Sequence, residues 1–156
     1  LNKAVPVAVA LGSNLGDRGA QLDFAVARLS TLLTDLTVSP RVDTVPVDVV
    51  GEQPMYLNAA AIGRTSLGPH DLLRALQAIE SAAGRERPYP NAPRTLDVDL
   101  IFYDDLVIAE PQLQLPHPRF RDRLFVLEPL AAIAPGWCDP VTGASVLALL
   151  ERCRRG

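Results

Sequence analysis

From Leu96 to Tyr103 the chain reads Leu-Asp-Val-Asp-Leu-Ile-Phe-Tyr, an apolar stretch broken twice by a residue that strands disfavour. If this stretch is a strand, Asp97 and Asp99 share one face, with their Cα atoms roughly 6.5 Å apart. Val98, Leu100 and Phe102 then fill the other face and tie the strand to a core, so the two carboxylates are rigidly mounted. The fold must therefore bury one side of this strand and leave the acids usable on the other. Such a pair suits hard cations: two Mg²⁺ ions about 3.5–4 Å apart can share carboxylates and grip the oxygens of a polyphosphate. The same pattern taken alone also describes a half-exposed strand with a solvated polar face.

A length of 156 residues fits one domain spanning residues 1–156, long enough to bury a real core. Hydrophobic residues make up 48%, charged residues 21%, and 14 prolines supply firm turns, which excludes a disordered or fibrous chain. The net charge of −3 offers no general attraction to nucleic acid or to an anionic membrane, so any anion site has to be local. Cys138 and Cys153 are too few for a disulfide framework or a zinc site. No apolar run reaches the roughly 18 residues that span a bilayer, and no signal-peptide pattern opens the chain. A cytoplasmic protein without membrane or nucleic-acid partners is the expectation.

Val5 to Leu11 reads as a buried strand closed by a turn at Gly12-Ser13-Asn14. Leu22, Ala25, Val26, Leu29, Leu32 and Leu33 recur at helical spacing between Arg18 and Leu33, with Asp17 placed to cap that helix. Leu36 to Thr44 suggests a second strand, which Pro40 assigns to an edge or a bulge. Residues 45–55 read as a long connection, and Tyr56 to Thr65 as a strand. Pro69, Asp71 and the stripe Leu72, Leu76, Ile79 and Ala83 define a second helix ending at Gly84. A loop over residues 85–95 leads into the two-aspartate strand. Asp104-Asp105 fits the turn of a hairpin to Leu106-Val107-Ile108. Phe125 to Ala134 and Ala144 to Arg152 are the expected C-terminal helices. The order strand, helix, strand, strand, helix, strand predicts an α+β fold: a ferredoxin-like core with helices packed on one face of a mainly antiparallel sheet.

Arg85, Arg87 and Arg94 bracket the loop before Asp97 and Asp99. Guanidinium forks match phosphate oxygens, and acids beside arginines suit one highly charged ligand neutralised from two directions, such as a nucleoside triphosphate with Mg²⁺. A structural salt-bridge network would use the same residues. A second basic group, His117, Arg119, Arg121 and Arg123, can meet phosphate or base; His117, held extended between two prolines, is equally a phosphate donor or a structural histidine. Gln77 and Glu80 flank the apolar stripe of the second helix. Tyr56 and Asn58 share a strand face, and Phe125 opens a helix; an aromatic and amide set of this kind suits a flat heterocycle, although either aromatic also fits a core. Neither a Gly-x-x-x-x-Gly-Lys-Ser/Thr loop nor a kinase Gly-rich loop occurs. A metal-bound nucleotide-sugar enzyme and an RNA-binding ferredoxin-like module are the competing classes; the short chain opposes the first and the acidic balance the second.

Taken in order, Gly12-Ser-Asn-Leu-Gly-Asp, Tyr56-Leu-Asn-Ala-Ala, Pro93-Arg-Thr-Leu-Asp-Val-Asp-Leu, Leu115-Pro-His-Pro-Arg and Arg123-Leu-Phe-Val-Leu-Glu-Pro-Leu closely resemble 6-hydroxymethyl-7,8-dihydropterin pyrophosphokinase of folate biosynthesis. The resemblance covers nearly the whole chain. It implies Mg-dependent transfer of pyrophosphate from ATP to the pterin's hydroxymethyl group, leaving AMP, with Asp97 and Asp99 as ligands of two Mg²⁺ ions. By the same resemblance Arg85 and Arg94 stabilise the transferring phosphates, and Gln77, Glu80, Arg87, Leu100, His117 and Arg123 serve the ATP site, Glu80 between the two substrates. Tyr56 and Phe125 would sandwich the pterin, Asn58 would read its edge, and Thr44, Val45 and Val47 would add backbone contacts. A monomer is implied. Because two metals and several arginines must surround the polyphosphate before reaction, loops 45–55 and 85–95 are expected to close after ATP binds, with the pterin following. Two departures stand out: Asn91-Ala92 replaces a Trp-Gly pair known in the family, and Gln112 and Gln114 occupy positions where some members carry an arginine and a threonine.

Overall fold

The computed structural model describes residues 3–14, 17–44, 56–84 and 96–156. Strand β1 (Val5–Ser13) is followed by α1 (Arg18–Leu32), β2 (Thr34–Val38), β3 (Val42–Thr44), β4 (Tyr56–Thr65), α2 (Pro69–Gly84) and β5 (Asp97–Tyr103). After them come β6 (Ile108–Ala109), β7 (Gln114–Leu115), a 3-10 turn (Phe120–Asp122), α3 (Leu124–Ile133) and α4 (Val146–Arg155). The main sheet runs β2-β4-β1-β5, antiparallel throughout, with β3 following β2 along the same edge of β4. This is the expected ferredoxin-like core.

Local chemistry accounts for the elements. Asp17 caps α1 by accepting from the Ala20 amide at 3.0 Å. In α2 the stripe Leu72, Leu76, Ile79 and Ala83 is buried as its spacing requires. Pro40 splits the predicted strand 36–44 into β2 and β3. At that break the Ser39 amide donates to the Ala60 carbonyl (2.8 Å) while the Ser39 hydroxyl accepts from the Ala60 amide (2.9 Å). A side-chain oxygen thus replaces a missing ladder carbonyl, and β4 keeps its pairing. Gly63 in β4 is required by close packing: a Cβ there would lie 2.9 Å from Leu33 Cβ and 3.0 Å from the Thr34 carbonyl oxygen, where α1 turns into β2.

The sheet is covered twice. On one face Val7, Val9, Leu11, Ala59, Ala61, Val98 and Leu100 meet α1 and α2. On the other, Ala8, Ala10, Ala60, Ile101 and Phe102 meet Phe120, α3 and α4. The C-terminal third therefore adds a second helical layer to the one-sided packing expected from the sequence. Small residues on the sheet let this layer sit close, and Phe102 fills it, edge-on to Phe120 and stacked on Trp137 with centroids 5.1 and 5.2 Å apart.

Several expectations are corrected. β1 continues through Gly12 and Ser13, which pair with Asn58 and Leu57, because strand partners on β4 extend that far. Phe102 does not share a face with Val98 and Leu100. The β1–β5 register shifts between Ala8 and Val9, leaving Ile101 as an extra residue, and this bulge turns Phe102 to the side of the acids. Asp104 does make a turn, with φ 53°, but Ile108 pairs with Leu115 in a separate ribbon instead of folding back on β5. The connections 45–55 and 85–95 lie outside the described residues.

Asp139, fully buried, fastens the second layer. It accepts from Arg121 at 2.5 and 2.9 Å, from the Val141 amide at 3.0 Å and from the Thr142 hydroxyl at 2.8 Å. Burial alone would raise its pKa, but the Arg121 bond and the other donors outweigh it and bring the group to about 2. Because the folded pKa lies below the ordinary carboxylate value, this stabilisation is present above pH 4 and lost as pH falls toward 2. Asp139→Ala should cost about 3 kcal/mol, since it leaves a guanidinium and two other donors unmatched; chemical denaturation at pH 7 measures it, and an unchanged midpoint would contradict the role given to the cluster.

Candidate active site

Asp97 pairs across β5 with Gly12 and Asp99 with Ala10, so the acids project beside two of the smallest side chains on β1. Both are half-buried. Burial pushes the Asp99 carboxyl above its ordinary pKa, and the Arg123 guanidinium pulls it part of the way back. A carboxylate held in this state gains from a cation beside it. Asp97 acts on a different neighbour: the Tyr56 hydroxyl is raised first by burial and then by the Asp97 charge. Both acids lie on the same face of β5, Asp97 across Gly12 from Asn58 and Asp99 in the wall of the cleft beside α2.

The Tyr56 region forms on the acid face of the sheet. Asn58, 5% exposed, donates its Nδ2 to Thr44 Oγ1 at 2.6 Å. Its Oδ1 turns toward Gly12, where a Cβ would come within 3.1 Å of that oxygen and 3.7 Å of the Tyr56 ring. Gly12 thus keeps a flat floor between Asp97, Asn58 and Tyr56, and the fixed amide offers an acceptor along it. Helix α3 packs across β3 and β4, and Phe125 in its first turn is half-buried there with the Arg123 guanidinium 5.5 Å above its ring.

The Asp99 region is a cleft of about 270 Å³ lined by Leu73, Gln77 and Glu80 of α2, Val98, Asp99 and Leu100 of β5, residues 111–114, His117 and Pro118. Glu80 Oε2 accepts from the Val98 amide at 2.8 Å, joining α2 to the strand between the acids. The His117 amide donates to the Ile101 carbonyl at 3.0 Å. Its Nδ1 accepts from the Arg119 amide at 3.2 Å, which leaves the ring proton on Nε2. Burial, then Arg123 and Arg119, lower its pKa to about 4, so at neutral pH His117 is an uncharged donor.

Most expected residues therefore meet here: Thr44, Tyr56, Asn58 and Phe125 on one side of the acids, Gln77, Glu80, Leu100 and His117 on the other, with Arg123 close to both. Val45, Val47, Arg85, Arg87 and Arg94 lie outside the described residues. Arg121, read from the sequence as one of several phosphate or base ligands, is instead held by Asp139. Leu73, missed in the sequence, lies four residues before Gln77 on the same helical line, a spacing that would have revealed it. Gln112 and Gln114 also line the cleft.

Among the described residues no group of three or more His, Cys, Asp and Glu side chains could hold a metal ion. Two carboxylates still fit Mg²⁺, which commonly takes one or two from the protein and completes its shell with water and substrate phosphates. No helix among the described residues is long and apolar enough to cross a membrane.

The fold matches the crystal structure of wild-type Plasmodium falciparum HPPK-DHPS with a TM-score of 0.78 at 15% identity, over 97% of this chain and 45% of that one. The sequence is 41% identical over 145 residues to the Synechocystis sp. 2-amino-4-hydroxy-6-hydroxymethyldihydropteridine pyrophosphokinase, covering 92% of this chain and 74% of the relative. Against the Pseudomonas aeruginosa protein of the same name it is 40% identical, covering 94% and 91%. In the Dictyostelium discoideum folic acid synthesis protein the match, at 37% identity, spans 86% of this chain but a fifth (20%) of the relative. Residues 8–135 match the model of the 7,8-dihydro-6-hydroxymethylpterin-pyrophosphokinase family, and the chain belongs to that family.

Proposed function

We propose that the chain transfers the β,γ-pyrophosphate of ATP to the hydroxymethyl oxygen of 6-hydroxymethyl-7,8-dihydropterin, giving the pterin diphosphate and AMP, a step of tetrahydrofolate synthesis. The observation that carries the reading is the placement of the acids at the junction of two regions: Asp97 lies across Gly12 from Asn58 beside a flat floor, and Asp99 lines the cleft with His117. A flat heterocycle fits the first and a triphosphate the second.

In this reading the pterin lies between Tyr56 and Phe125, with Asn58 Oδ1 accepting from its amino edge and Thr44 fixing that amide. Val45 and Val47 add main-chain contacts by resemblance to the family. Gln77, Leu100, His117 and Arg123 hold ATP, with Glu80 keeping β5 in place between the substrates. Arg87, and Arg85 and Arg94 on the transferring phosphates, are assigned by resemblance alone. Asp97 and Asp99 would hold two Mg²⁺ ions, which supply charge neutralisation on the polyphosphate. The pterin hydroxyl oxygen attacks the β-phosphorus in line, its proton passing to solvent, and the bond from that phosphorus to the α,β-bridging oxygen breaks as AMP leaves. His117 contributes a neutral Nε2 proton donor; Arg123 contributes fixed positive charge. No side chain forms a covalent intermediate, and the rate comes from positioning and electrostatics. The same reading takes the protein as a cytoplasmic monomer acting as one domain.

Incubation with MgATP and the pterin alcohol should release AMP in step with pterin diphosphate; release of ADP or inorganic phosphate alone would overturn the assignment. Asp99→Ala should lower kcat by about a thousandfold, roughly 4 kcal/mol, with chemical shifts of the core unchanged. Because burial raises the Asp99 pKa, Mg²⁺ affinity should decline on acidification at a pH above that of an ordinary aspartate, as a metal titration across pH would record. The His117 ring should titrate near pH 4 in the free protein and at higher pH with a triphosphate analogue bound, read by proton–nitrogen NMR; a free-protein value near 6.5 would contradict the neutral donor.

A further inference from the structure

Helix α1 holds the β3 segment from behind by two ion pairs that run in opposite directions. Arg18, the first residue of α1, donates Nη1 to Asp43 Oδ1 at 2.6 Å. Arg41, just before β3, donates Nη2 to Asp23 Oδ1 on α1 at 2.5 Å and Nη1 to the Gly19 carbonyl at 3.3 Å. Each element thus supplies one guanidinium and one carboxylate. Asp17 caps the same first turn, so the helix end that receives β3 is itself fixed. All four side chains reach solvent, and ion pairs of this kind contribute little to the stability of a whole domain. Their effect has to be sought in what β3 carries.

β3 spans three residues, and among the described residues its ladder is with β4 alone. A ladder this short leaves an edge strand free to lift from its neighbour unless other contacts hold it. Successive side chains alternate between faces, so Asp43 points to the α1 side while Thr44 lies on the other, with Tyr56 and Asn58. There Thr44 Oγ1 accepts from Asn58 Nδ2, and the Tyr56 carbonyl, 3.5 Å from the same nitrogen, fixes which end of the amide is the donor. Asn58 Oδ1 is consequently turned toward Gly12 and the floor. One peptide unit separates the carboxylate gripped by α1 from the hydroxyl that orients this acceptor.

We propose that the Arg18–Asp43 and Arg41–Asp23 pairs form a clasp that sets the affinity of the flat-heterocycle region from the opposite face of the sheet: with β3 held down, Thr44 keeps the Asn58 oxygen aimed at the ligand. The four are positioning residues that touch neither substrate. The inference rests on the pterin reading of that region, and it separates the two substrates, because the nucleotide binds in the cleft beside α2. When the clasp is released, β3 is docked for a smaller fraction of the time, and the apparent dissociation constant of the pterin rises by the reciprocal of that fraction.

The test measures binding of 6-hydroxymethyl-7,8-dihydropterin by calorimetry with saturating Mg²⁺ and an ATP analogue whose α,β-bridging oxygen is replaced by methylene, so that no transfer occurs. Arg41→Gln and Asp43→Asn should each raise the pterin Kd about threefold, and together about tenfold, with the Kd for the analogue unchanged. Arg41→Asp alone should raise it about tenfold, and adding Asp23→Arg should recover most of that loss. Arg74→Gln, which removes another surface pair, with Asp71 on α2, should leave it unaltered. In the free protein the Asn58 side-chain amide protons should exchange with solvent about tenfold faster in the Arg41→Gln/Asp43→Asn variant, read by NMR without any substrate. A pterin Kd unchanged in that double variant would overturn the proposal, as would nucleotide and pterin binding weakening in step, the mark of a general loosening. Failure of the wild-type protein to bind the pterin would instead count against the pyrophosphokinase reading, and the exchange rates would still decide whether the clasp fixes Asn58.

Discussion

The pairing of β5 with β1 is the interaction on which the site depends. In its observed register Asp97 faces Gly12 and Asp99 faces Ala10, so each carboxylate has open space beside it. A slip of one residue would send both acids under α1 and α2 and bring Val98 and Leu100 to the ligand side. Three features oppose such a slip. Glu80 holds the Val98 amide, the bulge at Ile101 fits only one alignment, and Phe102 is locked between Phe120 and Trp137. The architecture thereby converts hydrophobic packing at one end of a strand into placement of charge at the other.

Periodic signals were the legible part of the fold. The α2 stripe from Leu72 to Ala83, the Asp17 cap and the bounds of β4 all follow from short-range spacing, which depends on local geometry. What escaped depends on partners distant in sequence. Phe102 changes face because of a bulge against β1, and Ile108 pairs with Leu115 because that ribbon closes over the α2 side of the core. Arg121 gave no sign that it was committed to Asp139, since the two lie 18 residues apart across a turn and a helix. For the site, paired acids and an aromatic-amide set marked the chemistry, while the ordered motifs supplied the family. Nothing local could say that Asp97 borders the floor beside Asn58 while Asp99 lines the cleft beside α2.

Electrostatic contrast within a small space follows from this arrangement. His117 is kept neutral by burial and by the arginines near it, Asp99 is held above its usual pKa by burial, and Arg123 lies close enough to influence both. The region is therefore not preset to one charge. It can take up an anion and its counter-cations together, each relieving a penalty that the other would increase alone.

One further consequence attaches to β5 as the last strand of the sheet. Its outer margin is a row of peptide groups of the kind that recruits stray strands and seeds aggregation. Glu80 closes that margin at Val98, and the His117 amide closes it at Ile101. Strand alternation leaves the peptide groups of Leu100 facing outward between these two plugs, into the cleft. The gap is too short for a foreign strand yet wide enough for a small molecule, so the hazard of an open sheet edge is confined to a slot where only a ligand can use it.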